Sequence, residues 1–350
     1  MRIAQVAPLH ESVPPALYGG SERVVSYLTE ELVREGHEVT LFASGDSVTQ
    51  ARLISPCRRA LRLDPDCPDP VAYHTIMLDQ VFHRADNFDI IHYHIDYIHF
   101  PFARRNRVPH ITTLHGRLDL PDVISVYRQF SDIPLISISD AQRRPMPWAN
   151  WLATVYHGVP KDLYCFNETP GSYLGFIGRI SPEKGVDRAI DVAIRAGMPL
   201  RIAAKVDKVD REYFETYIKP RLCHPLIEFV GEISDHEKNQ FLGGAYALLF
   251  LIDWPEPFGL AMIESLACGT PVVAFRRGSV PEVIDHGVTG FVVNKVEEAI
   301  EAVQKVGHLN RRNCRKSTEQ RFSVSRMAKD YLLQYSRLQS RELFAVDSHA

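Results

Sequence analysis

Trp254-Pro255-Glu256-Pro257-Phe258-Gly259-Leu260-Ala261-Met262-Ile263-Glu264-Ser265-Leu266-Ala267-Cys268-Gly269-Thr270-Pro271-Val272-Val273-Ala274 reads as strand end, tight turn, short helix, glycine stop and new strand. Ala245 to Ile252 is an apolar run of strand length, and Pro255 and Pro257 break it before Gly259 opens a segment with helical spacing. Gly269 then ends that helix. The stretch is therefore a βαβ step in which Glu256 precedes the helix N-terminus and Glu264 lies about two turns further on. Backbone N–H groups near Phe258, Gly259 and Leu260 would point above the strand ends, where a helix start favours an anion or the oxygens of a sugar. Glu264 can accept hydrogen bonds from a diol. A blander account makes Glu256 a complement to a helix dipole and Glu264 a solvated face residue. It leaves the glycine and proline punctuation unexplained.

The composition sets the frame. A chain of 350 residues is long enough for two domains of ordinary size. Hydrophobic content of 45%, charged content of 24% and 23 prolines describe a globular protein rather than a disordered or fibrous one. A net charge of -3 argues against bulk nucleic-acid binding. The six cysteines (57, 67, 165, 223, 268 and 314) are scattered without a CxxC pair, and the first residues read as a strand rather than a leader, so a reducing cytoplasm is expected. No apolar run is long enough to cross a bilayer, which leaves peripheral membrane contact at most.

Outward from the opening stretch, the first residues supply a second βα unit. Met1 to Ala7 reads as a buried strand, followed by a proline-rich loop and Tyr18-Gly19-Gly20-Ser21-Glu22-Arg23. Val24, Val25, Leu28, Leu32 and Val33 recur at helical spacing up to the stop at Gly36, and Val39 to Ala43 is the next strand. Gly19 and Gly20 sit where a doubly wound sheet presents its carboxyl edge, either as turn chemistry or as a place of close backbone approach to phosphate. The pattern is not G-x-G-x-x-G, so a dinucleotide-dependent dehydrogenase lacks its main support.

Residues 47 to 70 read as an irregular surface excursion, with Asp64-Pro65-Asp66 a solvated loop rather than a metal site. Phe88 to His94 is a strand ending in His92 and His94, for which pocket lining is expected over metal ligation. His110 to Gly116 is a strand ending in His115, which is either a satisfied structural histidine or a group pointing into the ligand crevice. Trp148 and Trp151 read as packing in a connection between helix and strand. Leu174 to Gly178 is a strand, and Arg179 and Lys184 flank the turn before a helix from Val186 to Ala196. As surface charges they would be unremarkable; at the carboxyl edge of a sheet, a guanidinium fork and an ammonium can meet a diphosphate. Lys205 offers a further cation after the strand Leu200 to Ala204.

The Glu-x7-Glu spacing, with Pro-Phe-Gly-Leu (257–260) inside it and Ala-Cys-Gly-Thr-Pro-Val-Val-Ala (267–274) after it, resembles glycosyltransferase family 4, retaining nucleotide-sugar transferases of the GT-B fold. The resemblance extends over most of the chain. It implies an α/β protein of two doubly wound Rossmann-like domains facing across a cleft: an acceptor-side domain at 1–166 and a nucleotide-sugar-binding domain at 167–331, with a C-terminal helix at about 332–350 packing back on the first. It implies a hexosyltransferase that moves a sugar from UDP-glucose or GDP-mannose to a hydroxyl of a glycan, glycolipid or small molecule, with retention, no metal and no other cofactor. The Gly-Arg-x4-Lys-Gly run at 178–185 matches the family's phosphate signature, and Thr113-x-His115-Gly116 the context of its sugar-contacting histidine.

The catalytic set implied by the resemblance is His115, Glu256, Arg179 and Lys184. Donor binding would fall to Gly19, Gly20, Arg179, Lys184, Phe258, Gly259, Leu260 and Glu264. The sequence departs from the family at His157, where many members carry Asn, and at Ala203-Ala204-Lys205, where many carry a Gly-x-Gly turn. No well-placed nucleophile is evident for a covalent intermediate, so front-face attack is expected, with the departing phosphate taking the acceptor's proton. A catalytically silent nucleotide-sugar-binding scaffold in a polysaccharide or glycolipid assembly complex is the rival reading, and retention of Arg179, Lys184, Glu256, Glu264 and His115 together argues against it. A phosphorylase would need a pyridoxal-bearing lysine context, and an epimerase a different acid/base set.

Overall fold

The computed structural model describes residues 1–17 and 19–347. Tyr18 of the glycine-rich turn and residues 348–350 of the expected final helix lie outside them. In chain order the elements are β1 Arg2–Val6, α1 Gly20–Arg34, β2 Glu38–Phe42, β3 Arg52–Ile54, α2 Pro70–Phe82, β4 Ile90–Tyr93, α3 Phe100–Ala103, β5 His110–Thr113, α4 Pro121–Gln129, β6 Leu135–Ser137 and β7 Trp151–Thr154. There follow β8 Tyr173–Arg179, α5 Val186–Ala196, β9 Leu200–Lys205, α6 Arg211–Tyr213, β10 Ile227–Gly231, α7 Asp235–Gly243 and β11 Ala245–Phe250. The chain closes with α8 Leu260–Ala267, β12 Val272–Phe275, α9 Val280–Val283, β13 Gly290–Val293, α10 Val296–Lys305, α11 Arg311–Arg321 and α12 Val324–Asp347.

The chain divides into two compact units, residues 1–158 with 324–350, and residues 159–323. These divisions differ from the expected boundaries at 166/167 and 331/332. In the second unit Val159 forms a parallel bridge with Ser323, and its N–H donates to the Phe322 carbonyl at 2.8 Å, so the incoming and outgoing strands leave that unit side by side. The first sheet runs β3-β2-β1-β4-β5-β6-β7 and the second β10-β9-β8-β11-β12-β13, with every strand pairing parallel. Counted within each unit, both sheets have the doubly wound order in which strand order reverses beside the first strand. The reversals fall between β1 and β4 and between β8 and β11. Loops leaving those strand ends diverge to opposite faces and open a crevice, and the glycine-rich turn follows β1 while Arg179 closes β8.

Parallel strands covered on both faces need continuous apolar sequence, and β12 (Val-Val-Ala-Phe) is buried throughout. The core of the second unit packs Val186, Ala189, Ile190 and Ala193 of α5 against Leu174, Phe176 and Ile202 of the sheet and against Val303 of α10. β4 (Ile-Ile-His-Tyr) is as buried as β12 but carries a polar group, His92, whose satisfaction is described below. Residues 52–54, expected to be irregular, form the short edge strand β3 against β2, an element too brief for alternation to reveal. The last strand of the first sheet, β7, begins at Trp151, whose indole N–H donates to the Met146 carbonyl at 2.8 Å.

Gly185 is a tight backbone position at the turn after β8. Its φ is +74°, and a Cβ built there would lie 2.2 Å from the Leu251 carbonyl oxygen. Gly185→Ala is expected to destabilise the second unit by about 2 kcal/mol or more, because a left-handed conformation and a backbone clash add. Urea unfolding followed at Trp254 checks this: the transition should move to lower urea, and an unmoved midpoint would mean that the loop can give way.

Candidate active site

At the reversal in the second sheet, the loops after β8 and β11 are stitched together through backbone groups. The Asp253 N–H donates to the Glu183 carbonyl at 2.8 Å, and Arg188 Nε of α5 donates to the Leu251 carbonyl at 2.9 Å. This brings Lys184 beside Glu256: Lys184 Nζ donates to Glu256 Oε2 at 2.8 Å, and Trp254 Nε1 donates to the same oxygen at 2.9 Å. Lys184 also sits 4.7 Å from the centroid of the Trp254 ring, so the ammonium is held by a carboxylate and an aromatic face at once. Gly278, with φ +51°, lies under this loop because any Cβ would strike the Glu256 backbone, 2.2 Å away.

Gly259, in the left-handed region with φ +83°, starts α8 and offers no side chain to cap its first N–H groups. Phe258 contributes backbone and not side chain to the site. Its ring is buried and meets Phe322 edge-on at 6.0 Å, and its carbonyl accepts from Ser279 Oγ at 2.8 Å. Glu264 is 3% exposed, which contradicts the solvated-face account, and it accepts from Lys238 Nζ at 3.0 Å. A carboxylate so deep in the fold needs a partner of this kind.

Arg179 lies next to Lys205 across the β8/β9 register. Its guanidinium donates to Glu183 Oε1 at 2.7 Å and lies 3.6 Å from Asp210 and 3.8 Å from Asp207, while Lys205 pairs with Asp207 at 3.1 Å. Lys205, the further cation at the end of β9, is thus paired with a carboxylate. Burial raises the Asp210 carboxyl above its usual range. Burial also works to raise Glu183, but hydrogen bonds from its own backbone, Ser181 and Arg179 bring it below that range. Two cations facing three carboxylates make a site where an entering anion exchanges with groups already present. Trp254, Lys238, Asp207 and Asp210 were not singled out from the sequence for these roles, since nothing in their spacing links them to the turns that they serve.

In the first unit Gly19 is the N-cap of α1 and Gly20 its first residue; a Cβ on Gly19 would lie 2.7 Å from Pro15 Cβ, so the turn is closed by a side chain rather than by the backbone. His115, after β5, meets His94 at 2.9 Å between Nε2 and Nδ1, and the ring of His157 stacks on it at 5.3 Å and 20°. His92 and His94, expected to line a pocket, are instead locked in the interior, 0% and 2% exposed, in hydrogen bonds to Tyr335, Thr113 and Gln5. The reason is that β4 is a central strand whose both faces are covered. Among the described residues no group of three or more His, Cys, Asp or Glu side chains is placed to hold a metal ion. Trp148 carries Arg128 over its ring at 5.6 Å, and no described helix is long and apolar enough to cross a membrane.

Two parallel-sheet α/β units with charged and glycine-rich turns at their reversal points have the architecture of the GT-B fold. Residues 18–159 match the family model described as Glycosyltransferase Family 4, and residues 167–321 match the model described as Glycosyl transferases group 1. The chain belongs to glycosyltransferase family 4. An uncharacterized glycosyltransferase of Methanocaldococcus jannaschii is 26% identical over 225 residues, 61% of this chain and 63% of the relative, so the match spans less than two thirds of that protein. Among solved structures, AviGT4, a glycosyltransferase involved in avilamycin A biosynthesis, superposes with a TM-score of 0.76 at 22% identity over 97% of this chain and 98% of its own. HepE of Anabaena in complex with UDP-glucose superposes with a TM-score of 0.71 at 19% identity over 96% of this chain and 100% of its own.

The histidines set an acid limit on the first unit. Burial pushes His92, His94, His99 and His157 well below the usual imidazole value and His115 down to about 4. Their folded values lie below their unfolded ones, so the unfolded chain binds more protons as the pH falls from about 6.5 towards 4. Stability present above pH 6.5 is therefore lost over that window, by up to about 1.4 kcal/mol per pH unit for each histidine. Hydrogen–deuterium exchange at pH 7, 5.5 and 4.5 should show amides in residues 1–158 losing protection ahead of those in 159–323. Parallel loss in both units would contradict the assignment.

Proposed function

We propose that this protein is a retaining hexosyltransferase that takes its sugar from a nucleoside diphosphate and acts without a metal ion. The observation that carries the reading is the convergence of Arg179, Lys184, Glu256 and the start of α8 at the reversal point of the second sheet, with Glu264 buried on the same helix. In this reading Arg179, Lys184 and the first N–H groups of α8 stabilise the charge that develops on the leaving diphosphate, a preorganised electrostatic role. Glu264 holds the ribose diol, Glu256 and the backbone from Phe258 to Leu260 hold sugar hydroxyls, and Gly19 and Gly20 flank the phosphates. His115 contacts the transferred sugar. The acceptor oxygen bonds to the anomeric carbon on the face from which the phosphate departs, the bond from that carbon to the phosphate oxygen breaks, and the phosphate oxygen takes the acceptor's proton. UDP-glucose and GDP-mannose are the two leading donors, close to even. The six cysteines are free, which fits a cytoplasmic setting.

A panel of UDP- and GDP-sugars, titrated calorimetrically without metal and then followed by anomeric NMR, tests this reading. One donor should bind, and an α-linked donor should give an α-linked product or α-sugar on slow hydrolysis. Lys184→Ala should lower turnover about 10²- to 10³-fold, the usual cost of removing one group that stabilises leaving charge. Glu264→Ala should weaken donor binding with less effect on turnover. A folded protein that binds none of the panel would sink the transferase reading. Asp207→Asn relieves Arg179 and Lys205 of one carboxylate and should tighten binding of the nucleoside diphosphate about 3- to 10-fold at low salt; weaker binding would show that Asp207 orients the cations instead.

A further inference from the structure

A run of buried polar groups leads from α12 to His115. Tyr335, fully buried, accepts from Gln5 Nε2 at 3.1 Å, and its hydroxyl shares a hydrogen bond with His92 Nδ1 at 2.7 Å. His92 Nε2 in turn shares a hydrogen bond with Thr113 Oγ1 at 2.7 Å. Because the Gln5 amide nitrogen faces Tyr335, its oxygen faces His94, and His94 Nε2 donates to it at 2.8 Å. A neutral imidazole carries a single N–H. With that proton on Nε2, His94 Nδ1 has only a lone pair, so its 2.9 Å contact with His115 Nε2 is a hydrogen bond in which His115 donates. His115 Nδ1 is left unprotonated, buried and with no hydrogen-bond partner among the described residues.

The orientation of one amide therefore sets the proton on a histidine two residues away along the network. Turning the Gln5 amide over would reverse every proton between it and His115, and His115 Nδ1 would become a donor. We infer that Gln5 and Tyr335 are positioning residues: acting through His94, they hold His115 in the tautomer whose Nδ1 accepts a hydrogen bond from a hydroxyl of the transferred sugar. A sugar that presents a carboxylate at that place offers an acceptor to an acceptor and is disfavoured, so the network selects a neutral hexose over a uronate. The choice of ligand rests on the transferase reading above; the tautomer does not.

Histidine-labelled full-length protein, observed by long-range 15N–1H NMR without ligand, tests the tautomer directly, with the His115 signals assigned by their loss in His115→Asn. The expected wild-type spectrum has a protonated Nε2 and an unprotonated Nδ1 at His115. Tyr335→Phe keeps the ring and removes the hydroxyl that Gln5 and His92 share, and should give a mixture of both tautomers at His115. It should also lower kcat/KM for UDP-glucose about tenfold, the worth of one well-placed hydrogen bond, while UDP-glucuronate gains relative to it. Tyr331→Phe is the matched control. It deletes an equally buried hydroxyl, bonded to Thr113 at 3.0 Å beyond His92, and should leave the His115 tautomer and the donor preference as they are. A protonated Nδ1 in the wild type, or a pure Nε2–H tautomer in Tyr335→Phe, overturns the inference. If the wild type turns over no nucleotide-sugar, the transferase reading fails alone and the NMR spectra still decide the tautomer.

Discussion

The join between the loops after β8 and β11 is the constraint on which the second unit's chemistry depends. Three features make it: the absent side chain of Gly185 under the Leu251 carbonyl, the Asp253 N–H on the Glu183 carbonyl, and the Arg188 guanidinium on the Leu251 carbonyl. None of them is a charge-bearing contact with a ligand. Together they fix two turns, 70 residues apart in sequence, at the one place in the sheet where neighbouring strands send their chains to opposite faces. Lys184 and Glu256 meet as a consequence, and the start of α8 follows three residues later. A side chain at Gly185 would part the turns before it touched any catalytic group.

Charge in that site is balanced internally. Lys184 is held by Glu256, Lys238 by Glu264, and Arg179 by Glu183, Asp207 and Asp210. Half-buried cations without such partners would carry a desolvation penalty. The same partners keep the cations close to the positions that a diphosphate would need, at the cost of competing with it. A site of this kind binds an anion by exchange, and its affinity should depend on how far each carboxylate can swing away as the anion arrives.

The parts of this architecture that were legible in the sequence are those written in local chemistry. Gly259, Gly269 and the run from Val272 to Ala274 announce a helix start, a helix stop and a buried parallel strand without any knowledge of the fold. Arg179 and Lys184 could be placed at a strand end because β8 and α5 are strongly patterned. What stayed hidden is made by contacts across long separations. Lys238 reaches Glu264 from α7, Asp207 and Asp210 curl back to Arg179 from the next strand's loop, and β3 is too short to show alternation. The histidines of the first unit misled for a related reason. His-x-His at a strand end suggests residues facing a ligand, yet β4 is central and covered, so both rings point into a polar interior.

That interior explains why α12 is more than a covering helix. Tyr331 and Tyr335 are four residues apart, one turn of helix, and both present hydroxyls to buried polar groups on β1, β4 and β5. Gln5 sits on β1 between them and His94, so the first strand, the last helix and the histidine after β5 share one hydrogen-bond system. Ser325 Oγ, at the start of the same helix, donates to Glu31 of α1 at 2.5 Å and pins the helix at its other end. A buried polar network of this sort costs stability relative to an apolar core unless its members are paired, and its return is a single arrangement of protons. In a cluster of neutral imidazoles, that arrangement decides which ring atom can meet a hydroxyl. The segment farthest from His115 in sequence is thereby part of the hydrogen-bond system that reaches it.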